Sequence, residues 1–315
     1  MSGWGATERG GVAISAWEYR ELYLEYKERY SEFFCPFCDI PLVAMLIYSD
    51  EELSRSPHFA ARDSKHLFDC EGEPLEVDQP DRKLPRAHYK PRRMGVPEAL
   101  SDRPPQREYR ASAVPANLNS PSPTVVDVTA RRRQASSLGK PVPKTYLLRS
   151  IVEARDIEIK EIYKQAGKEN WDQAKIKAEM KKVLGSMPLR LEDSSTYDDG
   201  FRGPTFLNWK FKRIYHGKGT LVRNVNGLAI KSQVDGNLRG EALPFWIQID
   251  PIAIGSASPR SHLALLEKLG SLEATGTEIR WYAYGLPGVQ AGSLVVPIQN
   301  FDHLYIKKAF EAKRP

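Results

Sequence analysis

The sequence predicts an α+β protein with two folded parts joined by a long irregular segment. Three observations carry that expectation. All three cysteines, Cys35, Cys38 and Cys70, fall near the N-terminus. Twelve of the 23 prolines lie between Pro74 and Pro143. Beyond Lys144 the hydrophobic period passes from the 3.6 of a helix to the 2 of a strand. The expected divisions are 1–75, an N-terminal helix with a cysteine-histidine module; 76–143, a linker; and 144–315, a helical pair followed by a β-domain. A chain of 315 residues is long enough for two such domains.

In the first part, Ser15 can cap a helix that continues through Trp17, Leu22, Tyr26 and Tyr30 over about 15–31. In the second, proline removes backbone donors and restricts its preceding residue, so neither a central strand nor a helix fits. Arg92-Arg93 and Arg131-Arg132-Arg133 make this segment basic, and it reads as a flexible spacer or as a strap for phosphates. In the third, Leu147 to Ile162 predicts a helix over about 146–165, and Trp171 to Leu184 a second that ends at Gly185 and Pro188. Strand-like runs follow near 206–216, 219–225, 228–234, 244–249, 278–285 and 293–298, with a helix at about 261–269. Asn226-Gly227 is a hairpin signal, because both residue types tolerate positive φ.

Composition excludes several classes. Hydrophobic residues make up 41% and mean hydropathy is -0.48, and no window approaches the ~18 apolar residues of a membrane-spanning helix. No membrane partner is expected. The N-terminus lacks the basic start and apolar core of a secretory signal, so a cytoplasmic location is expected. Three cysteines are too few, and odd in number, for a disulfide scaffold. A net charge of +6 and a pI of about 9.0 permit a polyanionic partner.

Cys35-Pro-Phe-Cys38 is followed by nineteen residues to His58, seven more to His66 and three more to Cys70. Two thiols separated by two residues converge on one ion, while His66 and Cys70, at i and i+4, share a helical face. Cys35, Cys38, His66 and Cys70 are the expected ligands, with His58 the alternative to His66, and zinc is the expected metal. Phe33, Phe34, Phe37, Phe59 and Phe68 supply an apolar shell. Four protein ligands leave no open position, which favours a structural ion over a catalytic one. A thiol-disulfide reading of the Cys-x-x-Cys run gives no account of His66 and Cys70, and no βαβ pattern surrounds it.

This order of Cys-Pro-x-Cys, an apolar strand, His58-Phe59 and His66-x-x-x-Cys70 resembles the N-terminal zinc-binding module of competence-protein (CoiA-like) and related prokaryotic DNA-metabolism proteins. The resemblance covers about residues 33–72 and implies a setting in bacterial DNA handling. That family often places another histidine soon after His-Phe. Here Ala60-Ala61-Arg62 follows, which leaves the role of His58 open.

Between Phe201 and Gly240 eight basic residues face one acid, a local charge of +7, with Phe206, Trp209, Phe211 and Tyr215 interleaved. In the run Arg280 to Tyr284, alternation puts Arg280, Tyr282 and Tyr284 on one strand face and Ile279, Trp281 and Ala283 on the other. Guanidinium pairs with phosphate and flat rings stack on unpaired bases. The expected nucleic-acid-binding residues are Lys210, Lys212, Arg213, Tyr215, Lys218, Arg223, Lys231, Arg280, Tyr282 and Tyr284, with single-stranded DNA or RNA as the partner. The element order, a long strand, a hairpin, a third strand, a helix and two closing strands, resembles the OB-fold barrel, which commonly binds single strands.

Two other functions stay open. Asp156, Glu158 and Lys160 have the acid-x-lysine spacing of metal-dependent nucleases, although the segment reads as a helix face. Alternatively the zinc module docks a protein partner, and the chain acts as an adaptor. The leading expectation is an accessory protein of prokaryotic DNA metabolism that catalyses nothing.

Overall fold

The computed structural model describes residues 2–11, 13–61, 66, 70, 96–100, 144–224, 227–249 and 260–308. The chain divides into two compact units. Of the described residues, those up to 96 belong to the first, and 97–100 with 144–308 to the second.

The first unit is a small α+β module of short strands. β1 (Trp4–Gly5) pairs with β2 (Ile14–Ser15), which leads into α1 (Ala16–Tyr26). Ser15 caps α1 by accepting from the Glu18 amide at 3.2 Å. The helix stops at Tyr26, short of the expected 31, because Lys27 turns left-handed at φ 56° and returns its amide to Tyr23 O. β3 (Phe33–Phe34), β4 (Pro41–Met45) and β5 (His58–Ala61) form an antiparallel sheet. The Tyr19 ring meets Phe33 and Phe59 edge-on at 5.0 and 5.9 Å, joining α1 to the sheet. Arg20 is wholly buried and donates to the carbonyls of Ser49 and Glu51, so it holds the chain that leaves β4.

The second unit has two sheets. β6 (Ala99–Leu100), β7 (Lys144–Thr145), β8 (Pro188–Arg190) and β9 (Ser194–Thr196) lie in the order β7-β6-β8-β9. Between β7 and β8 run α2 (Leu148–Glu169) and α3 (Gln173–Gly185), the two helices expected. Asn170 ends α2 in the left-handed region and Asp172 caps α3 through the Lys175 amide at 2.7 Å.

β6 corrects the linker expectation for 97–100, which belong to a sheet. Pro97 precedes the strand, so no ladder donor is lost, and its carbonyl accepts from the Tyr197 hydroxyl at 2.7 Å. Glu98 O accepts from the Arg190 amide at 2.6 Å. The rest of 76–143, apart from Val96, lies outside the described residues.

After the short α4 (Tyr197–Gly200) come β10 (Phe201–Arg202), β11 (Arg213–Asn224), β12 (Gly227–Ser232), the hairpin β13 (Gly236–Leu238) and β14 (Glu241–Leu243), and β15 (Phe245–Ile249). Then follow α5 (Arg260–Thr275), β16 (Ile279–Gly285), β17 (Gly288–Gln290), β18 (Ser293–Ile298) and β19 (Leu304–Lys308). Asn224 pairs with Gly227 at the expected hairpin, where Gly227 takes φ 106°. The two runs expected at 206–216 and 219–225 give one strand starting at Arg213, because Asn208 Oδ1 accepts from the Lys210 and Phe211 amides and folds 203–212 into a loop.

The large sheet has the order β17-β18-β15-β12-β11-β16-β19. Within it β16, β11, β12 and β15 stand in the spatial order of a Greek key, fourth strand beside first. β18 lies parallel to β15. No ladder joins β18 to β16 among the described residues, so this is a mixed α+β sheet without a closed barrel. Its core face carries Tyr215, Leu221, Ile230, Phe245, Ile247, Trp281, Val296 and Ile306. α2 packs against β16 and β19.

If 97–100 are structural, Tyr197→Phe leaves the buried Pro97 carbonyl without its donor and lowers stability by about 1–3 kcal/mol. Urea unfolding of the full chain measures this, and an unchanged midpoint would return these residues to the linker.

Candidate functional site

Cys35, Cys38, His66 and Cys70 are all buried, and their ligand atoms lie within 4.8 Å of one another. Cys35 Sγ is 3.6 Å from Cys70 Sγ, and His66 Nδ1 is 3.4 Å from both Cys38 Sγ and Cys70 Sγ. A tetrahedral zinc with Zn–S near 2.3 Å and Zn–N near 2.0–2.1 Å requires edges of about 3.6–3.8 Å. The spacing fits. The first pair is set by a knuckle between β3 and β4, where the Cys35 amide donates to Ile40 O at 2.8 Å and the Asp39 amide returns to Cys35 O at 2.8 Å. Asp39 closes the knuckle in the left-handed region at φ 58°, which aspartate tolerates better than most residues, and its carboxylate accepts from the Gly10 amide at 2.8 Å.

Without a cation, Cys35 and His66 hold their protons. Contact with the Cys38 and Cys70 thiols, followed by burial, drives the Cys35 thiol far above its ordinary range. Hydrogen bonds to Cys38 and then Cys70 push His66 up to about 9. The ligating forms are thiolates and a neutral imidazole, so an incoming ion must displace these protons. His58 stands apart. It occupies the β5 ladder opposite Met45, and its Nδ1 lies 3.0 Å from Ser56 O.

In the second unit, sheet and helices redistribute the expected nucleic-acid residues. Arg213 is buried and makes two bonds to Asp193, at 3.0 and 2.8 Å. Lys212 pairs with Glu192 at 3.1 Å, Lys218 with Glu278 at 2.9 Å, and Arg223 with Glu273 through two bonds of 2.9 and 2.8 Å. Tyr215 belongs to the core and bonds through its hydroxyl to Asn208. Tyr282 and Tyr284 are buried, which corrects their expected role as open stacking surfaces. Tyr282 stacks between His216 and Tyr305, at 5.9 and 6.2 Å, and Tyr284 meets His303 edge-on at 5.0 Å. Lys210, Lys231 and Arg280 remain exposed, with no acidic partner among the described residues.

One residue the sequence reading missed is Trp246. It lies directly opposite Lys231 in the β12–β15 ladder, half-buried on the outer face, with the Lys231 ammonium 5.8 Å from its ring centre. The alternation of Phe245, Ile247 and Ile249 into the core is the signal that places Trp246 outward.

The acid-x-lysine run lies on α2, where Asp156 pairs with Lys307 at 2.9 Å. Among the described residues, the Cys35 cluster is the only group of three or more His, Cys, Asp or Glu with metal-binding spacing. No helix there is long and apolar enough to cross a membrane.

His216 supplies a pH test. Burial, then Arg155 and Arg280, hold its imidazole down from 6.5 to about 4. The unfolded chain therefore binds more protons between these values, so His216's contribution to stability is complete above about pH 6.5 and is lost as pH falls towards 4. A proton NMR titration midpoint near 4 is expected, and His216→Gln should flatten the fall in urea midpoint between about pH 7 and about pH 5. A midpoint near 6.5 would show that the ring is solvated. Compared with protein-family models, curated proteins and solved structures, the chain matches none.

Proposed function

We propose that this is a structural-zinc protein that binds single-stranded nucleic acid through the outer face of its large sheet, as an accessory factor without catalysis. Zinc suits a closed set of three thiolates and one imidazole better than the hard divalent cations, and four protein ligands leave no place for substrate. The resemblance of residues 33–72 to competence-protein modules favours a role in DNA handling.

The observation that carries the binding reading is the Trp246–Lys231 pair on the second and third strands of the Greek key, the face an OB-fold offers to oligonucleotides. The OB-like reading draws further support from β18 and β16, each next to an end of the strand path. A Cβ on Gly285 of β16 would stand 2.6 Å from Val296 Cγ1 of β18, so the sheet curls until these strands touch. From Trp246 and Lys231 the register runs to Thr220, and two residues along β11 to Lys218 opposite Arg280. This line crosses four adjacent strands, about 14 Å at 4.8 Å per step. A flat ring at one end with Lys231 and Arg280 along the line, and Lys218 engaged by Glu278, suits unpaired bases and a phosphate backbone, whereas duplex bases are already stacked.

Elemental analysis should find one zinc per chain. Cys38→Ala and His66→Ala should lose it, with loss of structure in the first unit, while His58→Ala keeps it. A metal-free protein would remove the zinc reading, and the reverse result for the histidines would exchange them.

For binding, Trp246→Ala should weaken affinity for a labelled single strand by about 1–3 kcal/mol and leave the salt slope unchanged. Lys231→Ala should reduce that slope by about 0.7. A wild-type protein that shows no saturable binding at the lowest salt would defeat this reading.

A further inference from the structure

Phe206 is 69% exposed and Trp209 46%, both on the loop of residues 203–212 that precedes β11. The loop is held in place. The Phe206 amide donates to Gly203 O at 3.0 Å, and the Asn208 amide donates at 2.9 Å to the hydroxyl of Tyr215, a core residue. Asn208 Oδ1 ties down the Lys210 and Phe211 amides at 3.0 and 2.8 Å, and Glu192 accepts from the Lys212 amide at 2.8 Å. Between the two exposed rings, Leu207 turns inward against the core. The backbone is thus fixed so that the aliphatic side chain is withdrawn and the rings stand in water.

The loop begins beside the Trp246 end of β15. A Cβ on Gly236 would meet Pro204 O and Phe245 Cδ2, each at 3.1 Å, so the first part of the loop and the residue before Trp246 crowd the same glycine. Lys210 is exposed, its ammonium 5.0 Å from the Phe211 ring centre.

We infer that residues 203–212 form a second stacking station for single-stranded nucleic acid, in which Phe206 and Trp209 take unpaired bases and Lys210 meets a phosphate. It extends the strand that lies across Trp246 and Lys231, and so rests on the binding reading above. Flat rings with a cation next to Trp209 in the same loop, and the aliphatic neighbour withdrawn, match bases and phosphate better than the mixed aromatic and aliphatic surface of a protein-docking patch.

The test uses the full chain and deoxythymidine homopolymers of about 4 and about 16 nucleotides, the range one OB-fold occupies. The wild type should bind the longer strand more tightly. Phe206→Ala with Trp209→Ala should lower affinity for the longer strand by about 5- to 100-fold and leave the shorter unchanged. Trp209→Phe, which keeps a flat ring, should retain most of the gain. Trp246→Ala should weaken both lengths. If the double variant keeps the full gain from length, the station is wrong while the sheet face stands, and the rings serve another occupant such as a protein. If the wild type binds neither strand, the sheet-face reading fails and takes this inference with it.

Discussion

Three thiols and an imidazole lie within 4.8 Å of one another, close enough to hold a metal ion, and the short elements of the first unit converge on that cluster. Its strands are two to five residues long and α1 has eleven, too little repetitive structure to hold a register by backbone pairing alone. The ligands tie together parts of the chain that no long ladder joins, namely the knuckle between β3 and β4 and the segment beyond β5. An ion held there would offset the entropy of closing that loop, while Tyr19, Phe33 and Phe59 supply an apolar core beside the cluster. In such modules, metal affinity and folding energy are largely one quantity.

The clustering of Cys35, Cys38, His66 and Cys70 was legible because its spacing is local: two residues between Cys35 and Cys38, three between His66 and Cys70. The choice between His58 and His66 was not, because it depends on ladder register. His58 sits opposite Met45, away from the sulfurs. The same division runs through the fold. α2, α3, β12, β15, β16 and β18 follow periods that a sequence displays. β6 is only two residues long, and its partners are β7 and β8, far along the chain, so nothing near Pro97 announces it.

Charge misled for a similar reason. The window from Phe201 to Gly240 counts +7, yet Arg202, Lys212, Arg213, Lys218 and Arg223 meet Asp199, Glu192, Asp193, Glu278 and Glu273, all outside that window. A local sum of charges measures the field of an extended segment. Folding brings distant carboxylates to it, and only the cations they leave uncovered contribute to a surface. Exposed pairs such as Arg223–Glu273 add little stability, but each removes a cation from competition for phosphate.

The tyrosines show where an exposed face is decided. Alternation correctly separated Tyr282 and Tyr284 from Trp281, but a strand with aromatic residues on both faces needs a layer on each side. Here α2 covers β16 and β19, and its Asp156 pairs with Lys307 beside the row of His216, Tyr282 and Tyr305. An amphipathic helix ahead of a β-domain must bury its apolar stripe somewhere, and the sheet face it chooses is withdrawn from ligands. By covering the outer face at β16 and β19, α2 gives that half of the sheet to stability. The other half keeps Lys231 exposed and Trp246 half-open to solvent.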